Sequence, residues 1–187
     1  MTKKDIFSLA RKDILKLVPY KSARDDFSSN DKKMIMMDAN ENPFENGLNR
    51  YPDPMQLKLK KRITESKKVN LDQIYLGNGS DDIINQLIIA FCRPNFDSIL
   101  ICPPTFGMYE VHANLNLIKS LKVPLNMQFE LEEESILSSI QKNTKIIFIP
   151  NPNNPTGNSF SNLKIQKLID NFRGIVVIDE AYFEFYE

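Results

Sequence analysis

Apolar residues follow two rhythms along this chain. From residue 73 onward, short runs that are mostly apolar alternate with longer stretches whose apolar residues recur every three or four positions. The short runs predict strands over 73–76, 98–102, 118–123, 145–149 and 175–178. The longer stretches predict helices over about 81–91, 106–117, 131–140 and 161–172. Ile175-Val176-Val177-Ile178 is apolar at every position, the pattern of a strand covered on both faces. Strands alternating with helices through short connections predict an α/β fold, a mostly parallel sheet flanked by helices.

The rhythm is weaker upstream. Residues 4–17 predict a short helix with Ile6, Leu9, Ala10 and Leu17 near one face, ended by Pro19. Residues 20–33 are polar and read as an extended N-terminal arm, and 34–37 as a short strand. Asp38-Ala39-Asn40-Glu41-Asn42-Pro43-Phe44 is too rich in turn formers for regular structure, and Pro43 pushes Asn42 out of the helical region. Arg50-Tyr51-Pro52-Asp53-Pro54 is irregular for the same reason, and 55–67 then read as a basic surface helix. The last strand lies so near Glu187 that the architecture reads as incomplete.

Composition removes several function classes. Lys plus Arg equals Asp plus Glu, 24 each, so no net field points to nucleic acid or an acidic membrane. No apolar run approaches the length of a membrane span, and no signal-peptide core follows Met1, so a cytoplasmic location is expected. Cys92 and Cys102 lack metal-ligand spacing and read as small core residues. No metal site is predicted. His112 is the only histidine, and no Gly-x-Ser-x-Gly elbow accompanies it.

Candidate chemistry gathers where predicted strands end, the edge at which open α/β sheets bind ligands. Gly77-Asn78-Gly79-Ser80-Asp81 joins a strand to a helix, so free N–H groups and the helix dipole favour an anion there. The plainer alternative is a glycine turn with Ser80 as helix cap. No Lys-Ser/Thr follows for a P-loop, and the third glycine of a dinucleotide fingerprint is missing. Pro150-Asn151-Pro152-Asn153-Asn154-Pro155-Thr156-Gly157 is a rigid loop carrying several amides. Pro103-Pro104-Thr105-Phe106-Gly107-Met108-Tyr109 brings an aromatic that either stacks on a planar ligand or fills the core. Asp179, closing the last apolar run, either caps the next helix or holds a cation such as a protonated ring nitrogen. The acidic run from Glu130 to Glu134 reads as a solvated first helical turn.

Taken in order, these pieces resemble the N-terminal half of the histidinol-phosphate aminotransferase family, pyridoxal-phosphate enzymes of fold type I. The resemblance is carried by Pro19-Tyr20-Lys21-Ser22-Ala23-Arg24, Asp38-Ala39-Asn40-Glu41-Asn42-Pro43, Arg50-Tyr51-Pro52, Gly77-Asn78-Gly79-Ser80-Asp81, Asn153-Asn154-Pro155-Thr156-Gly157 and Asp179-Glu180-Ala181-Tyr182. It implies an N-terminal arm and small-domain segment over 1–45 and an incomplete cofactor-binding large domain over 46–187. It implies pyridoxal 5'-phosphate as cofactor, with Asp179 on the ring nitrogen and Asn154 and Tyr182 on the phenolic oxygen. Phe106 would stack on the ring, where the family often has Tyr, and Ser80 and Asp81 would hold the phosphate. Tyr51 would reach a phosphate across a homodimer interface, and Tyr20 and Asn40 would lie near substrate. The implied reaction moves an amino group between glutamate and imidazole-acetol phosphate, the product pair being 2-oxoglutarate and histidinol phosphate. The family's Schiff-base lysine falls beyond Glu187, so no catalytic residue is assigned in this chain. The alternatives are a non-catalytic or partner-dependent piece, or an aminotransferase for another, aromatic, amino acid.

Overall fold

Tertiary packing sorts the apolar runs onto the two faces of one parallel sheet. The structure, a computed structural model, describes residues 5–21 and 37–185. It divides into two units, Met1–Lys16 with Gly77–Glu187, and Leu17–Leu76.

The first unit holds strands β1 (Ser98–Ile101), β2 (Lys119–Lys122), β3 (Thr144–Pro150) and β4 (Ile175–Asp179), in the order β2-β1-β3-β4. Every pairing is parallel. Successive side chains of a strand point to opposite faces. Leu100, Ile147 and Ile149 therefore meet the face covered by α5 (Glu133–Ser139) and α6 (Asn162–Asn171), with Ile136, Ile165, Leu168 and Phe172. Ile99, Ile101, Ile146 and Phe148 meet the face covered by α3 (Gly79–Phe91) and α4 (Met108–Leu115), with Ile84, Ile88, Tyr109 and Ala113. Ile84/Ile88 and Tyr109/Ala113 are four apart, so each pair lies on one helix face. Ser161 opens α6 by accepting the Leu163 N–H. Both cysteines are buried and free, as their apolar settings predict.

Four expectations are corrected. Residues 73–76 are not a strand. Asn70 and Gln73 satisfy each other's backbone in a capping box, and Leu71–Gln73 closes as a 3-10 turn. The helix over 4–17 is broken into α1 (Ile6–Leu9) and a 3-10 turn at Ile14–Lys16. Arg11 decides this break, because its backbone N–H donates to Ala90 O (2.9 Å) and its guanidinium to Ile89 O (3.1 Å), capping the end of α3. The β4 run touches both cores but is only half-buried throughout, because among the described residues β3 is its only partner strand. The acidic run before and within α5 is not merely solvated. Lys164 lies 3.5 Å from Glu130 and 3.7 Å from Glu133, and Lys167 lies 3.5 Å from Glu134.

In the second unit, the two turn-rich segments hold each other. Glu41 accepts from the Tyr51 backbone N–H (2.6 Å) and pairs with Arg50 (3.0 Å), and Asn49 donates to Asn42 O (3.2 Å). Asp53 accepts from Met55 N–H and Leu57 N–H, both at 2.9 Å, and so starts α2 (Leu57–Lys67), the predicted basic helix. Of the predicted strand over 34–37 and the arm over 20–33, residues 22–36, including Arg24, lie outside the described residues. No described helix is long and apolar enough to cross a membrane.

Candidate active site

The chain leaves β1 toward β2 on one side and leaves β3 toward β4 on the other. The loops after β1 and β3 therefore diverge, and a crevice opens between them at the carboxyl edge of the sheet. Ser80, Phe106, Asn154, Asp179 and Tyr182 line one cleft there, of about 70 Å³, with Pro150, Pro152 and Ala181. A second cleft of about 280 Å³ shares Pro152, Asn154 and Tyr182 with it and adds Phe185. A larger cleft, about 510 Å³, lies at the amino edge between Leu9, Lys142, Lys145 and Arg173 and has no carboxylate–amide–aromatic set like this one. Chemistry, not size, selects the carboxyl-edge cleft.

Asp179 is the most constrained member. Its Oδ2 accepts from the Tyr109 hydroxyl at 2.8 Å and its Oδ1 from the Ala181 N–H at 3.1 Å. The second bond closes a local turn and does not cap the next helical turn, which starts at Phe183; the first bond was not foreseen. Its own carbonyl accepts from the Asn151 N–H at 2.8 Å, which carries the β3–β4 pairing into the loops. Tyr109 is fully buried and stacks on Phe148, with centroids 4.8 Å apart and planes 13° apart. Burial, then the Asp179 charge and the hydrogen bond, push the Tyr109 phenol above its ordinary range. It stays protonated and can only donate to the carboxylate. Phe106 meets the Tyr109 ring edge-on at 5.5 Å.

The first turn of α3 opens at the cleft, where Ser80 lines it. Gly79 has φ +80°, the left-handed region that glycine enters without strain. The helix cap is Asn78, not Ser80, and no cap side chain takes the first-turn N–H groups. Asp81 Oδ1 is buried without a hydrogen-bond partner, an atom still to be satisfied at this turn. The loop after β3 divides its two asparagines. Asn154 lines the cleft, while Asn153 is 3% exposed and donates to Pro104 O (3.0 Å) and Thr156 Oγ1 (2.6 Å).

The geometry brings together five of the predicted site residues, with Asp81 next to Ser80 in the same turn. Tyr20, Asn40 and Tyr51 belong to the other unit, where Tyr20 and Tyr51 are exposed and Asn40 has φ 49°. No group of three or more His, Cys, Asp or Glu side chains is placed to hold a metal among the described residues. Sequence reasoning missed the parts played by Tyr109 and Asn153. The signal for Tyr109 was a phenol on an apolar helix face, which needs a partner once buried.

A profile of the family described as "Aminotransferase class I and II" matches residues 27–187. The chain belongs to that family. Among curated relatives, this aminotransferase-family chain is 50% identical over 184 residues to the histidinol-phosphate aminotransferase of Flavobacterium johnsoniae, covering 98% of this chain and 53% of that protein. It is 48% identical to the enzyme of that name from Parabacteroides distasonis, covering 97% and 52%. The chain thus spans about half the length of the curated relatives it matches. Among solved structures, the histidinol-phosphate aminotransferase of Clostridium acetobutylicum superposes with a TM-score of 0.64 at 32% identity, over 74% of this chain and 40% of that one. That of Sinorhizobium meliloti, in complex with pyridoxal-5'-phosphate, gives 0.67 at 18% identity over 74% and 38%, a likeness of fold. The expected α/β architecture is that of these aminotransferases.

Proposed function

We propose that this chain supplies the coenzyme-binding half of a pyridoxal-phosphate aminotransferase of histidine biosynthesis, acting on the glutamate and imidazole-acetol phosphate pair. The observation that carries the reading is the Asp179 carboxylate, fixed by Tyr109 and Ala181, in one cleft with Ser80, Phe106, Asn154 and Tyr182. The donor set fits a flat, phosphate-bearing, ring-protonated ligand. The start of α3, where no cap side chain takes the first-turn N–H groups, suits a phosphate dianion held by backbone N–H groups and the Ser80 hydroxyl. Asp179 suits a protonated ring nitrogen, and the Asn154 amide suits a phenolic oxygen.

When bound, pyridoxal phosphate supplies the electron sink that makes the substrate Cα–H acidic. The chain's own residues bind and orient. Asp179 holds a proton on the ring nitrogen, and Tyr109 stops the carboxylate from turning away. Phe106 gives an apolar ring face, Asn154 and Tyr182 hold the phenolic oxygen, and Ser80 and Asp81 hold the phosphate. We assign Tyr51 to a phosphate across a homodimer interface, and Tyr20 and Asn40 to the substrate side. The cytoplasm is the compartment that suits such a biosynthetic enzyme. Substrate choice is supported by relatives near 50% identity that bear the histidinol-phosphate name.

The test is a titration of the 187-residue chain with pyridoxal phosphate, followed by a transamination assay of any complete version of the enzyme. Saturable binding lost in Asp179→Ala and Asn154→Ala, with histidinol phosphate the preferred amino donor, is the expected result. Binding of NAD or ATP with no response to pyridoxal phosphate refutes the reading. Preference for an aromatic amino acid over histidinol phosphate overturns the substrate alone.

A further inference from the structure

The cleft is lined from loops that diverge, so something must fix the distance between them. Phe106 follows β1, Asn154 follows β3, and the turn around Phe129 follows β2. A chain of side-chain hydrogen bonds runs through all three. Asn153 Nδ2 donates to Pro104 O at 3.0 Å in the β1 loop and to Thr156 Oγ1 at 2.6 Å in its own loop. The Thr156 hydroxyl donates to Asn158 Oδ1, and Asn158 Nδ2 donates to Phe129 O at 2.9 Å. The Asn153 backbone closes the loop on itself, its N–H donating to Asn158 O and its carbonyl accepting from Gly157 N–H, both at 2.8 Å.

Direction along this chain is forced. The Pro104 carbonyl only accepts, so the Asn153 amide must present its nitrogen, and both amide hydrogens are then used. Its Oδ1 is left buried without a partner. A buried acceptor with no partner is unfavourable, so the side chain is held there by what its nitrogen does. Linked bonds of this kind also polarise one another, and the array is stiffer than its separate pairs.

We propose that Asn153 is a positioning residue, the hub of a polar clamp that spaces Phe106 and Asn154 across the cleft. Its role toward pyridoxal phosphate rests on the function proposed above, whereas the clamp itself does not. Cys102 reports on the clamp. It sits at the root of the β1 loop, 4% exposed, in the core that also holds Leu125, whose N–H donates to Pro103 O at 2.8 Å. Cys92, equally buried, closes the far end of α3 and serves as the internal control.

The experiment is iodoacetamide labelling of the 187-residue chain, mapped by peptide, beside titration with pyridoxal phosphate. Loss of the clamp in Asn153→Ala raises Cys102 labelling by roughly tenfold, the size expected for one buried hydrogen bond, with Cys92 unchanged. The affinity for pyridoxal phosphate falls by a similar factor. Asn153→Asp keeps the shape but has no donor, and behaves like Asn153→Ala. Thr156→Val removes one acceptor and gives a smaller rise at the same thiol, which keeps the test alive if the Asn153 variants do not fold. Unchanged Cys102 labelling in a folded Asn153→Ala overturns the clamp. A joint rise at Cys92 and Cys102 also overturns it, because that reports a general structural role. A wild-type chain that ignores pyridoxal phosphate defeats the proposed function, and the labelling result alone then decides the clamp.

Discussion

Replacing Tyr109 by Phe isolates the bond that orients Asp179. The ring stays stacked on Phe148 and edge-on to Phe106, so little apolar packing is lost. What disappears is one donor, 2.8 Å from a carboxylate oxygen. A hydrogen bond to a charged group contributes roughly 1.5–3 kcal/mol. Asp179 is half-buried and water can partly replace the lost donor, so the low end applies. We expect a loss of about 1.5 kcal/mol, or roughly 3–6 °C in Tm for a chain of this size. Asp179→Asn retains an acceptor for the hydroxyl and loses less. Asp179→Ala strands a buried phenol, at a cost of roughly 1–3 kcal/mol. Urea melts of both single variants and of Tyr109→Phe with Asp179→Asn give a double-mutant cycle, for which we expect a coupling of about 1 kcal/mol. A Tyr109→Phe variant within about 0.3 kcal/mol of wild type, with no coupling, refutes the argument that Tyr109 holds the carboxylate.

Further outcomes follow from the same geometry. In any complete version of the proposed enzyme, Asp179→Ala lowers kcat far more than it lowers Tm; equal losses point back to a purely structural role. Gly174→Ala places a Cβ 2.4 Å from Lys145 O, a backbone atom that cannot move aside, and costs about 1–3 kcal/mol by thermal melt. Gly107→Ala, with open space around it, stays within about 0.5 kcal/mol. Burial pushes the Cys92 and Cys102 thiols up to about 12. Raised values mean that the unfolded chain releases these protons first. Their contribution is complete below about pH 8.5 and falls as pH rises toward 12, by roughly 1.4 kcal/mol per pH unit for each thiol. A urea midpoint that holds steady from pH 9 to 11 would count against both burials. The half-buried, uncharged Ile175–Ile178 edge makes the 187-residue chain self-associate in light scattering, and a monodisperse, cooperatively melting monomer contradicts that.

Periodicity by itself determined most of the sheet. Continuous apolar runs at 99–101 and 146–149 have no solvent face to offer, so they had to be central parallel strands. Helix spacing likewise determined which residues of α3, α4 and α6 face inward. The loop chemistry was legible because strand ends in such sheets share an edge, and Phe106, Asn154 and Asp179 all follow or adjoin one; Ser80 reaches the same cleft from the start of α3, with no strand before it. Tertiary structure alone decided three matters. Strand order put β1 beside β3, and only that adjacency opens a crevice between their loops. Arg11 and the Asn70 capping box overrode local periodicity, because backbone groups at helix ends and turns take whichever partner the fold brings near. Last, the neighbours Asn153 and Asn154 are chemically identical, yet one is a buried clamp and the other lines the cleft. That division depends on where the Pro104 carbonyl lies, forty-nine positions away in sequence, and no local pattern encodes it.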